Sequence, residues 1–188
     1  MGHQLPSLRI SLLSNASPEE VYDALADLRT HLEWGGTRRR DDFRLLTLEA
    51  PAGRAVVGTV FSSTGTFPMS SRRWRDRSIV AVADRPVTFE FTTEATAGER
   101  DPMTARYRHH YAISAEAGGA RVTYTLNQLG IANPMLRETL PGLRQLVWRV
   151  MLPMLSGRGV RNLLAYAEER AGATSAAVGG HAMPTREA

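Results

Sequence analysis

The stretch Leu143–Ala171, LRQLVWRVMLPMLSGRGVRNLLAYAEERA, decides how the rest of the chain is read. Its apolar residues recur at helical spacing: Leu143, Leu146, Val147, Val150, Met151, Met154 and Leu155, then Val160, Leu163, Leu164 and Ala167. A continuous helix over this stretch would run about 43 Å at ~1.5 Å per residue. Pro153 removes a backbone donor in the middle, and Gly157 and Gly159 weaken the helix further. The spacing therefore predicts a kink or break between Met151 and Gly159. Trp148, Met151 and Met154 gather near that point, and thioether side chains adapt to irregular partners. The rest of the chain reads mainly as strands. One long helix must then cover most of one sheet, and it either fills the sheet's core or leaves a cavity beneath itself.

Upstream, Leu8, Ile10 and Leu12 alternate with Arg9, Ser11 and Leu13 as a half-buried first strand. Ser17-Pro18-Glu19-Glu20 is a capping box with proline at the first helical position, and Val21, Ala24, Leu25 and Leu28 form one apolar face behind it. A short helix to about Leu28 is expected, with a second helical piece reaching Trp34 and ended by Gly35-Gly36. Strands follow near 43–50, 55–63, 68–83, 86–94, 104–116 and 120–128. Pro51-Ala52-Gly53, Asp84-Arg85-Pro86 and Gly118-Gly119 supply turns, and Thr96–Pro102 reads as a longer loop. Successive short strands of this kind argue for an antiparallel meander. Asn133-Pro134 reads as a helix start, with Met135, Leu136 and Leu140 on one short apolar face. Residues 1–171 are thus expected to form a single domain, and 172–188, small and polar, a disordered tail.

Composition narrows the function. The chain has 188 residues and no cysteine, so disulfides, thiolate nucleophiles and thiolate metal sites are excluded, and a reducing cytoplasm is the compartment expected. Residues 1–13 carry a proline and an arginine inside a short apolar run, unlike a secretory leader, and no run reaches the ~18–20 apolar residues that span a bilayer. All 23 Lys+Arg residues are arginine, at a formal net charge of +4. The dense patches are Arg38-Arg39-Arg40, followed at once by Asp41-Asp42, and Arg72–Arg77. No helix-turn-helix, zinc-finger spacing or RNA-binding aromatic motif accompanies them, so no specific nucleic-acid binding is expected, and the patches read as solvated faces.

The order strand, helix, helical piece, six strands and one long C-terminal helix resembles the START-like, Bet v 1-like (SRPBCC) superfamily. It resembles in particular the polyketide cyclase/dehydrase and lipid-transport branch. The residues that carry the resemblance are Ser17-Pro18-Glu19-Glu20-Val21-Tyr22 through Leu25, Ala26, Asp27, Leu28 and His31 to Trp34. Val57-Gly58-Thr59 adds to them, as does Gly159-Val160-Arg161-Asn162-Leu163-Leu164 with Ala167-Glu168. The resemblance covers about 6–171 and implies an α+β helix-grip fold. In that fold a seven-stranded antiparallel sheet wraps around a long C-terminal helix, short helices follow the first strand, and a mostly apolar cavity is enclosed. The superfamily holds enzymes and carriers alike, so the resemblance does not choose a function.

Strand parity names the cavity wall. The inward sets are Tyr107, His109, Tyr111 and Ile113; Val87, Phe89 and Phe91; and Val122, Tyr124 and Leu126. Over 55–63, parity leaves Val57, Thr59 and Phe61 in competition with Val56, Gly58 and Val60. Trp74 is placed inward, which brings Arg72 and Asp76 with it as a pair near a cavity mouth. The candidate lining is then Trp74, Phe89, Phe91, Tyr107, His109, Tyr111 and Tyr124, closed by Met135, Trp148, Met151 and Met154 from the helical side. An apolar wall with a few polar handles is what a small-molecule pocket needs. His109 reads either as a satisfied core histidine or as a ligand contact, and the histidines lack metal-ligand spacing.

No nucleophile elbow, phosphate loop or zinc-protease motif is present, and nothing calls for a cofactor. The leading reading is a non-catalytic binder or carrier of a hydrophobic small molecule such as a lipid, polyketide or isoprenoid. The alternative implied by the resemblance is a cyclase, aromatase or dehydratase with His109 or Tyr111 as acid/base and Arg72 stabilising an enolate. A third is a protein-interaction module with a filled core, using the Arg72–Arg77 surface. A homodimer is left open.

Overall fold

A computed structural model describes residues 7–39, 43–66, 73–98, 103–132 and 146–179. Alternation in the first strand, β1 (Ser7–Ser14), buries Leu8 and turns Leu13 to solvent. The capping box forms as read. The Glu20 N–H donates to Ser17 Oγ at 3.3 Å, and the Ser17 N–H donates to Glu20 Oε2 at 2.8 Å. Pro18 opens helix α1 (Pro18–Ala26), which buries Val21, Tyr22, Ala24, Leu25 and Ala26. A 3-10 turn (Leu28–Thr30) and a π-helical turn (Glu33–Thr37) follow. Gly35 and Gly36 lie inside the π-helical turn instead of ending a helix at Trp34. They are small because the turn runs against the next strand: a Cβ on Gly36 would lie 2.8 Å from the Leu45 carbonyl oxygen.

Six further strands follow: β2 (Leu45–Glu49), β3 (Val60–Thr66), β4 (Arg73–Asp84), β5 (Thr88–Ala97), β6 (Met103–Glu116) and β7 (Gly119–Ala132). Every pairing is antiparallel, and the order across the sheet is β1-β7-β6-β5-β4-β3-β2. The meander thus runs from one edge inward, and β1 closes the sheet beside β7. Two strand ends differ from expectation. Residues 55–59 are a turn, with Gly58 at φ +86° and Val56 and Val57 each 63% exposed, so β3 starts later and Phe61 settles its parity as inward. Val87 stands in the turn before β5, half exposed, and leaves the inward set.

The long helical element has the interruption that Pro153 requires, one turn earlier than expected. Residues Val147–Met151 form a π-helical turn, and the α-helix proper, α2 (Leu152–Gly179), starts directly after it. Proline tolerates the first turn of a helix, where its missing donor would be unpaired anyway. Gly157 and Gly159 do not break α2. A Cβ on Gly157 would lie 3.9 Å from Ile10 Cδ1, so the glycine sits where the helix crosses β1. The helix also runs on through Gly179 instead of ending near Ala171, so 172–179 is helical where a tail was expected. Ala173, Ala176 and Ala177 supply the propensity. The helix start read at Asn133 lies outside the described residues, as do 180–188.

Polar clasps fix α2 across the concave side of the sheet. Glu168 Oε1 accepts from Ser14 Oγ and from the Asn15 N–H, both at 2.8 Å. Arg38 bridges Glu33 and Glu169, each at 2.8 Å, and Asn162 Nδ2 donates to the Trp34 carbonyl. Beneath these clasps the core packs Tyr22, Leu25, Phe89, Val122 and Leu163, each at most 1% exposed. Burial of a side chain of this size stabilises by roughly 1.5–3 kcal/mol.

Candidate functional site

The register sorts the inner face of the sheet into rows across the strands, and the chemistry changes from row to row. At the end nearest α1, Phe89 pairs with Tyr111 and Tyr111 with Tyr124. These rings pack on each other and on Tyr22, with Tyr111 and Tyr124 centroids 4.8 Å apart. One step along comes Val80–Phe91–His109–Leu126. The next row is polar: Ser78–Thr93–Tyr107–Gln128, with Phe61 at its β3 end. Beyond it Ser63 and Asp76 face each other, continued by the small residues Ala95 and Ala105. Last come Gly65, Trp74, Ala97 and Met103.

The aromatic end is sealed, whereas the polar end is mixed: Ser63, Ser78, Thr93 and Gln128 are buried there too. Phe89, Tyr111 and Tyr124 are core, but Trp74, Asp76, Tyr107 and His109 keep accessible surface although they point inward. On the helical side, Trp148 and Leu152 are half-buried against the same core, and the π-helical turn that carries Trp148 meets β1. Glu168 meets Ser14 and Gly157 lies against Ile10, so the helix runs back along β1 and its start lies toward Ser7, whose partner Asn127 neighbours Gln128. The candidate site is the space between the polar rows and the start of α2.

Electrostatics follow from burial. His31 Nε2 lies 2.8 Å from the Leu25 carbonyl, which fixes it as the donor, and burial holds its pKa down at about 4. His109 stacks on Phe91 and meets the Tyr124 hydroxyl through Nδ1 at 2.9 Å. Burial, with His31 nearby, pushes His109 down to about 3. Desolvation raises Tyr107, Tyr111 and Tyr124. At neutral pH none of these groups is charged, and none is poised to exchange a proton. Asp76 differs. Its Oδ1 accepts from the Ser63 N–H at 3.0 Å and from Ser63 Oγ at 2.7 Å, yet burial outweighs both bonds and lifts its pKa to about 6. It is the one inward group among the described residues whose proton is exchangeable near neutrality.

The lining inferred from sequence is therefore divided. Phe91 stacks on His109, and Tyr107 and Trp148 pack against the same core, whereas Trp74 lies further along β4, against Gly65 and the Phe43 ring. Phe89, Tyr111 and Tyr124 form the sealed floor of the space. Met151 and Met154, at 36% and 47% exposure, face solvent with Leu146 and Val150, and do not close the space. Met135 and Arg72 lie outside the described residues. Asp76 pairs with Ser63, not with an arginine among the described residues. Ser63, Ser78, Thr93, Gln128 and His31 escaped the sequence reading, although parity from Phe91 reaches Thr93 and parity from Leu126 reaches Gln128. Among the described residues, no group of three His, Asp or Glu side chains gathers as a metal site, and no helix is long and apolar enough to cross a membrane.

Arg75 and Arg77 turn outward, into a cleft of about 400 Å³ that Ser63 and Asp76 also line. Acidic residues lie among the arginines there: Glu94 pairs with Arg106 at 3.4 Å and Glu90 with Arg108 at 3.5 Å. The outer face is thus mixed in sign.

No family model matches the chain, and no curated protein matches its sequence. Solved structures do match. An uncharacterised protein from Rhizobium leguminosarum superposes with a TM-score of 0.64 at 13% identity, over 87% of this chain and 94% of that one. Ara h 8.0201 gives 0.57 at 13% identity, over 86% and 96%. The KanY protein gives 0.57 at 16% identity, over 89% and 99%. The chain has the Bet v 1-like helix-grip fold. At such identities the helix-grip likeness carries the architecture and leaves the ligand to be argued from the inner face itself.

Proposed function

We propose that this helix-grip protein binds a mainly apolar small molecule between the inner face of its sheet and the start of α2. The observation that carries this reading is the gradient along the inner face. The sealed aromatic row gives way to two rows in which His109 and then Tyr107 point inward yet keep accessible surface. Small side chains at Ala95 and Ala105 then keep the sheet low. An apolar wall ending in a few fixed polar groups orients an amphipathic molecule. Native and denaturing mass spectrometry of protein purified from its own host tests the reading. A stoichiometric organic adduct is expected, and Tyr107→Ala should reduce it. A clean apo mass, with no thermal shift across lipids and polyketides, would remove the proposal.

A second reading, turnover of the cyclase or dehydratase kind, is favoured by Asp76 alone, a carboxyl lifted to about 6 inside the same space. Once a ligand class is known, loss of product formation in Asp76→Asn with ligand binding retained would support it.

A further inference from the structure

We infer that the molecule held in this space carries a neutral hydrogen-bond donor, a hydroxyl or an amide N–H, and that the side-chain carbonyl of Gln128, beside Tyr107, receives it. The inference rests on the ligand-binding reading and adds the chemistry of the ligand's polar end.

Most polar groups of the inner face satisfy one another. Ser78 and Thr93 bond each other at 2.8 Å. His109 meets the Tyr124 hydroxyl, and Ser63 donates to Asp76. Gln128 is the exception. It is 4% exposed, and its Oε1 is buried without a hydrogen-bond partner. A buried acceptor left in this state carries the full cost of its desolvation, and folded proteins keep few of them. The atom that completes it is a donor.

The register places this acceptor at the candidate site. Gln128 shares the inward parity of Tyr124 and Leu126, and it stands directly opposite Tyr107 across β6 and β7. Side chains of such a pair start only ~4.5–5.5 Å apart at Cβ, so one head group reaches both. The pairing shifts by a residue beside them, between Arg106 and Tyr107. Bulges of this kind re-aim side chains next to binding sites. Tyr107 keeps accessible surface, and its hydroxyl bonds to no described residue. It can donate to an oxygen of the same head while Gln128 accepts from it.

Charge selects further. The row Ser78–Thr93–Tyr107–Gln128 holds no charged side chain. Asp76 is on β4, three strands and one row away from Gln128. A charged head beside Gln128 would lose its water without gaining a counter-ion from this row, whereas a neutral donor gives up little.

Two isomers test this: dodecanol and 1-methoxyundecane, which share one formula while only the first has an O–H. Each displaces the neutral probe N-phenyl-1-naphthylamine at pH 7.5, beside dodecylamine and dodecanoate as charged heads. Dodecanol is expected to displace the probe at a concentration about fivefold or more below that of the ether, and below that of both charged heads. Gln128→Met keeps the length of the side chain and removes the acceptor, so it should melt no lower than the parent. In this variant the advantage of dodecanol should fall to within about twofold, with the ether itself within about twofold of its original value. Tyr107→Phe should weaken the two isomers alike and keep the advantage. An ether that equals dodecanol, an advantage that survives Gln128→Met, or a preference for either charged head would overturn the inference and leave ligand binding standing. Failure of the probe and of every member of the series to bind would remove the ligand-binding reading, and this inference with it.

Discussion

The His109 ring lies flat on Phe91, with centroids 4.5 Å apart and planes within 11° of parallel, while His31 approaches Phe91 from another side at 6.4 Å. Both rings are neutral in the folded protein. The unfolded chain takes a proton on each below about 6.5, whereas the folded rings refuse it until about 4 at His31 and about 3 at His109. The stability tied to these rings is complete above pH ~6.5 and drains as the pH falls toward the folded values, each ring contributing a slope of up to ~1.4 kcal/mol per pH unit. Urea midpoints should therefore fall between pH 6.5 and 4. His109→Phe keeps the stacked ring but has no proton to refuse, and should flatten the slope by about one proton equivalent. An unchanged slope in that variant would show that His109 is not held neutral by the fold.

Asp76 acts in the opposite direction. Its folded pKa is raised, from an ordinary 3.8 to about 6. Its contribution to stability is therefore present below pH ~3.8 and lost as the pH rises through about 6, leaving at neutrality a cost of the order of 3 kcal/mol. Asp76→Asn retains an oxygen that can accept from Ser63 and has no charge to desolvate. Its thermal midpoint should exceed that of the parent by several degrees at pH 7.5, and the gap should close by pH 4. A variant less stable than the parent at pH 7.5 would mean that the carboxylate is stabilised by a partner, not penalised by burial.

These two residues also show where sequence is informative. Tyr107, His109, Tyr111 and Ile113 declare their face because the positions alternating with them include Arg106, Arg108 and Ser114. The capping box declares α1 because Ser17 and Glu20 satisfy backbone donors locally, with no help from distant residues. The polar row is hidden for the same reason that it is interesting. Ser78, Thr93 and Gln128 occupy inward positions with side chains that a period-two reading assigns to water. Met151 and Met154 are misplaced by a different mechanism. A π-helical turn holds one residue more than an α-turn, which rotates everything beyond it by about 100° relative to regular spacing. Trp148, Leu152 and Leu155 take the inner side in consequence, and Leu146, Val150, Met151 and Met154 the outer.

Gly65 marks where the sheet lets Trp74 lie across it. A Cβ at Gly65 would run into the Trp74 ring and stand 2.6 Å from the Arg44 carbonyl oxygen. The indole lies in this gap, donates through Nε1 to the Thr66 carbonyl at 3.2 Å, and meets the Phe43 ring. Gly65→Ala should expel the indole at a cost of about 1–3 kcal/mol, because the backbone behind it has no room to retreat. The Trp74 indole N–H resonance should shift toward its solvent position while those of Trp34 and Trp148 stay in place. A variant with unchanged stability and an unmoved resonance would show that the contact is not close in solution.

The last prediction concerns what holds α2 over the sheet. Glu168 takes two donors at once, the Ser14 hydroxyl and the Asn15 N–H, at the corner where β1 ends and the chain turns into α1. Truncation to alanine leaves the Asn15 N–H without this acceptor and frees the far end of the helix, at a cost of about 1–3 kcal/mol. Glu168→Gln keeps an acceptor oxygen in the same place and should restore most of that loss, which separates the hydrogen bonds from the charge. The site lies beyond the opposite end of α2, near Trp148 and Leu152, so ligand uptake should change less than about twofold in either variant while the protein stays folded. Hydrogen exchange is the decisive measurement. Glu168→Ala should speed exchange in the last turns of α2 and around Asn15, and should leave β5 and β6 protected. Equal acceleration through the central strands would mean that the clasp holds the whole fold together and not only this end of the helix.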